Sequence, residues 1–146
     1  MNITFRPAIP VDAKVIRTLI HTIGINPTSL DWRRFVIAIN ENGEMLGCGQ
    51  IKPHGDGTRE LASLAVWPRF QGQGVGHAIL QHMLASAQPP LYLTCRAKLR
   101  PFYERFGFYS LVYKQMPPYF RRLWQITRVV GVFFPRIKSL QIMRWG

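Results

Sequence analysis

Residues 64–80, LAVWPRFQGQGVGHAIL, constrain the fold more tightly than any other stretch of this chain. An apolar run ends at Pro68, which cannot donate to a sheet ladder and so closes a strand. Gly72, Gly74 and Gly76 follow at alternate positions, and apolar residues then recur with helical spacing through about Ala87. A strand, a glycine turn and a helix in direct succession leave the first helix amides without intrahelical partners, at the positive end of the helix dipole. Diphosphate accepts several such amides at once. Glycine, lacking a Cβ, lets backbone come close to a ligand.

Two common phosphate ligands are excluded by specific residues. A nucleotide P-loop requires a lysine after its last glycine, but His77 and Ala78 follow Gly76. A dinucleotide fingerprint counted from Gly72 and Gly74 requires a third glycine at 77, and the ribose-binding acid about 20 residues further on is replaced by the basic Arg96 and Lys98.

The rest of the chain reads as short alternating elements. ITFRPA is a first strand, and residues 9–25 are a helical segment with Val11, Val15, Ile16, Leu19, Ile20 and Ile23 at helical spacing, ended by Gly24 and Pro27. TSLDWRRF is expected to form a second short helix capped by Thr28 or Ser29. FVIAI, NENGE and MLGCGQIK make a hairpin, and RELASLAV is the strand that Pro68 stops. LYLTC is a buried strand, LRPFYERFGF a short helix closed at Gly107, FYSLVYK a strand and KSLQIMRW a last strand. Mixed order with one internal hairpin predicts an α+β fold, a central sheet with helices on both faces. The length fits one domain, residues 1–146, with 117–146 as a basic, aromatic-rich C-terminal extension.

Charge points to an anionic partner. Nineteen Lys and Arg stand against seven Asp and Glu, and after Glu60 the one acidic residue is Glu104. A phosphorylated cofactor, nucleic acid, an anionic membrane and a merely solvated basic surface all fit this. No window carries the eighteen or so apolar residues of a spanning helix, and the N-terminus does not read as a signal peptide. Cys48 and Cys95 match no metal spacing. We expect free thiols, no metal and a cytoplasmic setting.

Residues flanking the glycines narrow the ligand. Val66, Pro68, Gln71, Gly74 and Gly76 are in register with a strand ending in Val, then x-Pro, then Q/R-x-x-G-x-G/A opening a helix. This resembles the acetyl-CoA-binding segment of the GNAT N-acetyltransferase superfamily. FYERFGF, residues 102–108, resembles that family's aromatic-Tyr segment after the fifth strand, and the two segments fall in the right order over residues 2–114. The resemblance implies a mixed, mostly antiparallel central sheet of about six to seven strands. It implies that backbone of Leu64, Ala65 and Val66 pairs with the pantetheine arm. Amides of Gln71, Gly72, Gln73, Gly74, Val75, Gly76 and His77 would hold the pyrophosphate, and Tyr103 would protonate the departing thiolate. One departure is Arg96, where many members carry an Asn that contacts the cofactor.

Acetyl transfer to an amine needs a base for the ammonium, donors for the thioester oxygen and an acid for the leaving thiolate. Tyr103 is the acid candidate; simple packing between Phe102 and Phe106 is its structural alternative. The Val66 amide can serve the oxyanion if a bulge frees it from the sheet. Glu60 is the base candidate, with His54, Asp56, Glu41 and Glu44 as alternatives. By strand parity Glu60 shares a face with Leu64 and Val66 unless a bulge intervenes. His77 at the helix start suits phosphate contact, and Cys95 suits the core.

In the extension, Tyr119, Phe120, Leu123, Trp124, Ile126, Val130 and Phe134 fall on one helical face and Arg121, Arg122, Gln125 and Arg128 on the other. TRVVGVFF is β-branched enough to be a strand instead. Such a helix suits packing on the sheet or a homodimer contact, and also an anionic membrane or the acceptor site. The expectation is transfer of an acetyl group from acetyl-CoA to a primary amine, by direct attack in a ternary complex. The competing classes are a CoA-binding module without turnover and a basic protein associated with membrane or nucleic acid.

Overall fold

A computed structural model describes residues 1–134 and 139–146, which form seven β-strands and four α-helices. They group into two compact units, residues 1–52 with 61–87, and residues 53–60 with 88–146.

The first unit contains β1 (Thr4–Pro7), α1 (Asp12–Ile23), β2 (Phe35–Ile39), β3 (Met45–Pro53, all but its last residue), most of β4 (Arg59–Val66) and α2 (Val75–Ser86). Ile16, Leu19 and Ile20 recur on one side of α1 and are essentially fully buried against Phe35, Ile37, Cys48 and Ala65. Burial of each contributes roughly 2 kcal/mol. Val11 and Val15, assigned to the same face from spacing, are exposed. Asp12 fixes the helix start: its carboxylate accepts from Arg6 Nη1 at 2.7 Å and Nη2 at 3.1 Å, and from the Ile9 amide at 2.8 Å. The Arg6 guanidinium holds that carboxyl below the usual range.

The second short helix shrinks to one 3₁₀ turn, Trp32–Arg34, capped by Asp31 rather than by Thr28 or Ser29. Ser29 lies instead in the left-handed region, at φ 57°. β2 and β3 form the expected hairpin, with Phe35 opposite Gln50 and Ile37 opposite Cys48. From Cys48 onward the even-numbered residues of β3 face α1, while the register shift at Ala38/Ile39 brings the odd-numbered Met45 to that same cluster. Gly47 and Gly49 face α2, close under Ile79 and Met83. Helices thus cover both faces of this unit.

The second unit contains β5 (Leu91–Arg96), α3 (Arg100–Glu104), β6 (Phe108–Ser110), α4 (Pro118–Val130) and β7 (Leu140–Trp145), with the Glu60 end of β4. β7 pairs antiparallel with β5 from Leu91↔Trp145 to Arg96↔Leu140, and its other edge takes β6. The expected KSLQIMRW strand is present from Leu140, its first residue, Lys138, lying outside the described residues. The expected FYSLVYK strand stops at Ser110. The chain turns there because the Gln115 side chain accepts the Val112 amide at 3.1 Å and residues 113–115 coil into a 3₁₀ turn. α4 runs helically through Val130, so the strand alternative for TRVVGVFF does not apply. Phe120 is buried with Tyr92, Met116 and Ile142, and Trp124 packs on this cluster. Ile126 and Phe134, placed on that face by the helical wheel, are exposed, as are Val129, Val132 and Phe133. The sheet underlies only the first turns of the helix.

The hydrogen-bonded strand order is β1-β2-β3-β4-β5-β7-β6. The sheet is mixed and mostly antiparallel, and the fold is α+β as expected. No described helix is long and apolar enough to cross a membrane.

Candidate active site

The glycine run behaves as three different residues. Gly72 and Gly74 take φ of 78° and 83°, and a Cβ on either would meet nothing within 4 Å. What they supply is the left-handed turn itself. Gly76 is not in that region, and its Cβ would lie 3.8 Å from Val66 Cγ2, an ordinary contact. The first helical bond of α2 runs from the Ala78 amide to the Gly74 carbonyl at 3.0 Å. The amides of Val75 and Gly76 precede it, at the positive end of a twelve-residue helix. Gln71 has a role that spacing did not show: its side-chain amide donates to the Val66 carbonyl at 3.0 Å and clasps the end of β4 to the turn. Gln71, Gly72, Gln73, Gly74 and His77 are exposed, and Leu64 and Val66 are half-buried, while Ala65 packs in the core.

β4 is not a regular strand. Ser63 lies at φ 56°, a left-handed residue within the extended run. Its hydroxyl receives the Gln50 amide at 2.8 Å, and its carbonyl receives the Cys48 thiol at 3.6 Å. A bulge-like residue here breaks the alternation of faces. The parity that put Glu60 on one face with Leu64 and Val66 therefore does not carry through Ser63.

Glu60 and His54, read as alternatives from sequence, are partners. His54 Nε2 lies 2.8 Å from Glu60 Oε1. The imidazole stacks on Tyr119 at a centroid distance of 3.6 Å and meets the edge of Phe120 at 5.7 Å. Asp56 is engaged differently: its carboxylate accepts the Tyr119 amide at 3.0 Å, capping α4, and the Thr58 hydroxyl at 2.6 Å. Burial pushes the Asp56 carboxyl up, but these hydrogen bonds outweigh it and leave the group below its usual range. Glu41 takes the Asn2 amide at 3.2 Å, and Glu44 takes Arg69 at 3.0 Å and Asn40 at 3.1 Å. Both lie in or beside the β2–β3 turn and hold local structure.

Glu60 pairs with Tyr92, so both project from one face of the sheet, the face that α4 covers. Tyr103 on α3 packs edge-on to Phe102 at 5.0 Å and Phe108 at 5.9 Å. Phe108 pairs with Trp145, on the face opposite to Tyr92 and Arg144. The acid and base candidates thus lie on opposite faces of β5. Burial, with the nearby Cys95 thiol, raises the Tyr103 phenol well above its ordinary range. Cys95 itself is pushed up to about 11 and Cys48 to about 12, both by burial. Arg96, with Ala97, Lys98 and Ser139, lines an open cavity of about 490 Å³ at the end of β5, a basic surface where an Asn was the family expectation.

Sequence reasoning missed Tyr119 as the partner of His54. It also missed Gln50 and Lys52, although their parity with the buried Cys48 was a signal: two polar residues stand where core residues are expected.

A mixed sheet whose bulged strand leads through left-handed glycines into outward helix amides is the arrangement that the sequence resemblance implies. Residues 31–110 match the model of the acetyltransferase (GNAT) domain, and the chain belongs to that family. Among solved structures, N-acetylglutamate synthase from Neisseria gonorrhoeae, in complex with coenzyme A and N-acetyl-glutamate, matches at a TM-score of 0.77 and 20% identity over 99% of this chain and 35% of that one. The chain spans about a third of that enzyme's length. Rv2747 from Mycobacterium tuberculosis, solved with CoA, matches at 0.73 and 22% identity over 97% and 98% of the two chains. An acyl-CoA N-acyltransferase from Pseudomonas aeruginosa matches at 0.68 and 16% identity over 99% of each. These likenesses show the fold.

Proposed function

We propose that this protein transfers an acetyl group from acetyl-CoA to a primary amine by direct attack in a ternary complex. The observation that carries the reading is the left-handed Gly72–Gly74 turn ahead of the α2 amides, in a chain of the GNAT family. Residues Gln71 to His77 hold the pyrophosphate, and backbone of Leu64, Ala65 and Val66 pairs with the pantetheine arm. When bound, acetyl-CoA supplies the activated acyl group.

The chain's own residues handle the protons. Glu60, paired with His54, takes the proton of the acceptor ammonium on the α4 face. Tyr103 gives a proton to the departing thiolate from the other face of β5. A free thiol has a pKa of ~8.5, so the thiolate is already a fair leaving group and Tyr103 contributes modestly. Two buried free thiols suit a reducing, cytoplasmic setting.

The test is calorimetric titration with acetyl-CoA, followed by CoA release measured with a thiol reagent across a panel of amines. Burial of Cys48 and Cys95 keeps the protein's own thiols out of that assay. Absence of acetyl-CoA binding at high micromolar concentration overturns the proposal.

A further inference from the structure

β3 carries two buried polar side chains on its α1 face. Gln50 is fully buried and Lys52 is 5% exposed. The Gln50 side-chain nitrogen donates to the Ser29 carbonyl at 3.2 Å and to the Ser63 hydroxyl at 2.8 Å. A carbonyl can only accept, so the Ser29 contact fixes which way the amide points. Gln50 Oε1 is then left without a partner among the described residues. Among those residues, Ser29 and Ser63 are the two non-glycine positions at positive φ, 57° and 56°. Two strained backbone positions therefore converge on one buried amide, and such strain concentrates at functional sites.

Lys52 is equally unusual. Its ammonium reaches the Thr28 carbonyl at 3.5 Å, and no acidic side chain among the described residues pairs with it. A buried cation without an anion, beside a buried carbonyl without a donor, is costly to keep. Thr28 and Ser29, which close over both groups, are themselves exposed, so the pair lies just beneath the surface.

We propose that Gln50 and Lys52 recognise the acceptor, and that the acceptor is an amine bearing a carboxylate. The Lys52 ammonium pairs with the carboxylate, and Gln50 Oε1 accepts an N–H of the amine. One ammonium balances one carboxylate, whereas a phosphate monoester would leave net charge buried. The word acceptor rests on the acetyl-transfer reading above; the carboxylate site rests on the geometry alone.

The test uses the full chain and matched pairs of probes, the common L-amino acids and their carboxamides. Binding is measured by calorimetry in the presence of CoA, and CoA release is measured with acetyl-CoA. At least one free amino acid is expected to bind tenfold or more tightly than its carboxamide. Lys52→Met should reduce that preference to within about twofold while melting no lower than wild type, since it removes an unpaired buried charge. The wild-type comparison needs no variant. Absence of any tenfold preference, or its survival in Lys52→Met, overturns the subsite. Preference without CoA release supports the subsite and refutes acetyl transfer to that amine. CoA release equally fast with amines lacking a carboxylate refutes the subsite and leaves acetyl transfer standing.

Discussion

His54 Nε2 and Glu60 Oε1 stand 2.8 Å apart, with side chains only 10% and 8% exposed. The turn between them is closed by the His54 amide on the Thr58 carbonyl at 2.9 Å, which folds the chain back so that residues six apart face each other. α4 completes the arrangement, because Tyr119 stacks on the imidazole and Asp56 caps the Tyr119 amide. The start of the C-terminal extension is thereby part of the setting of the candidate base.

If Glu60 takes the acceptor proton, Glu60→Gln keeps the hydrogen bond's shape and removes the basic oxygen. We expect kcat/KM for the amine to fall by about 10²–10³, with stability changed by no more than about 1 kcal/mol. Tyr119→Leu leaves the imidazole and the carboxylate in place and removes the ring stacked on His54, so a smaller loss in kcat of about tenfold is expected. Steady-state kinetics with circular-dichroism melting separates these effects. A Glu60→Gln enzyme within twofold of wild type makes the pair purely structural.

The glycines give a graded prediction. Alanine at Gly74 must adopt φ near 83°, which costs about 1–2 kcal/mol and distorts the turn. Alanine at Gly76 meets only Val66 Cγ2 at 3.8 Å and occupies a helical position, so it should stabilise the protein by about 0.5–1 kcal/mol. Both should weaken acetyl-CoA, Gly74→Ala by tenfold or more. Calorimetry on Gly76→Ala is the cleaner experiment, because its fold is not strained. Unchanged affinity there shows that the diphosphate does not need the space left by a missing Cβ at Gly76.

Local signals were readable wherever one residue decides the backbone. Pro68 and the glycines bounded β4 and α2 to within a residue, and Gly107 closed the turn after α3. The Val66, Pro68, Gln71, Gly74 and Gly76 register marked the candidate cofactor turn. What escaped depends on partners distant in sequence. Nothing in residues 140–145 says that they lie between β5 and β6, since that placement comes from pairing across more than 30 residues. The pairing of His54 with Tyr119 spans 65 positions and has no periodicity to betray it. Ser63 looks like an ordinary strand residue until its φ is known. The helical wheel of α4 failed at Ile126 because periodicity states which residues share a side, not how far the neighbouring sheet extends.

Tyr103 links catalysis to alkaline stability. Burial raises its pKa above that of an unfolded tyrosine, ~10. The sign follows: its contribution to stability is complete below the unfolded value and is lost as pH rises from there through the folded one. Tyr103 stays protonated across the working range, as an acid for a thiolate must. Tyr103→Phe should lower kcat about 10- to 100-fold while reducing the loss of stability above about pH 10. Urea unfolding from pH 8 to 11, run beside the kinetics, checks both. Full activity in Tyr103→Phe refutes the acid role even if the stability change appears.

Gly47 and Gly49 lie on the same face of β3, beneath α2, yet they should respond differently to a methyl group. A Cβ at Gly47 collides with the backbone carbonyl of Ala65, which cannot rotate away, and sits 3.0 Å from Ile79 Cδ1. A Cβ at Gly49 meets chiefly the Met83 sulfur at 2.7 Å, the flexible end of a side chain with several rotamers. Overpacking against rigid backbone costs about 2–3 kcal/mol, whereas displacement of a thioether costs less than about 1 kcal/mol. Gly47→Ala should therefore shift the urea midpoint down clearly and Gly49→Ala only slightly, with unchanged slopes. Because the Gly47 collision is with the segment just before Val66, Gly47→Ala should also weaken acetyl-CoA binding, and Gly49→Ala should not. Equal destabilisation by the two substitutions contradicts this account of how β3 and β4 meet under α2.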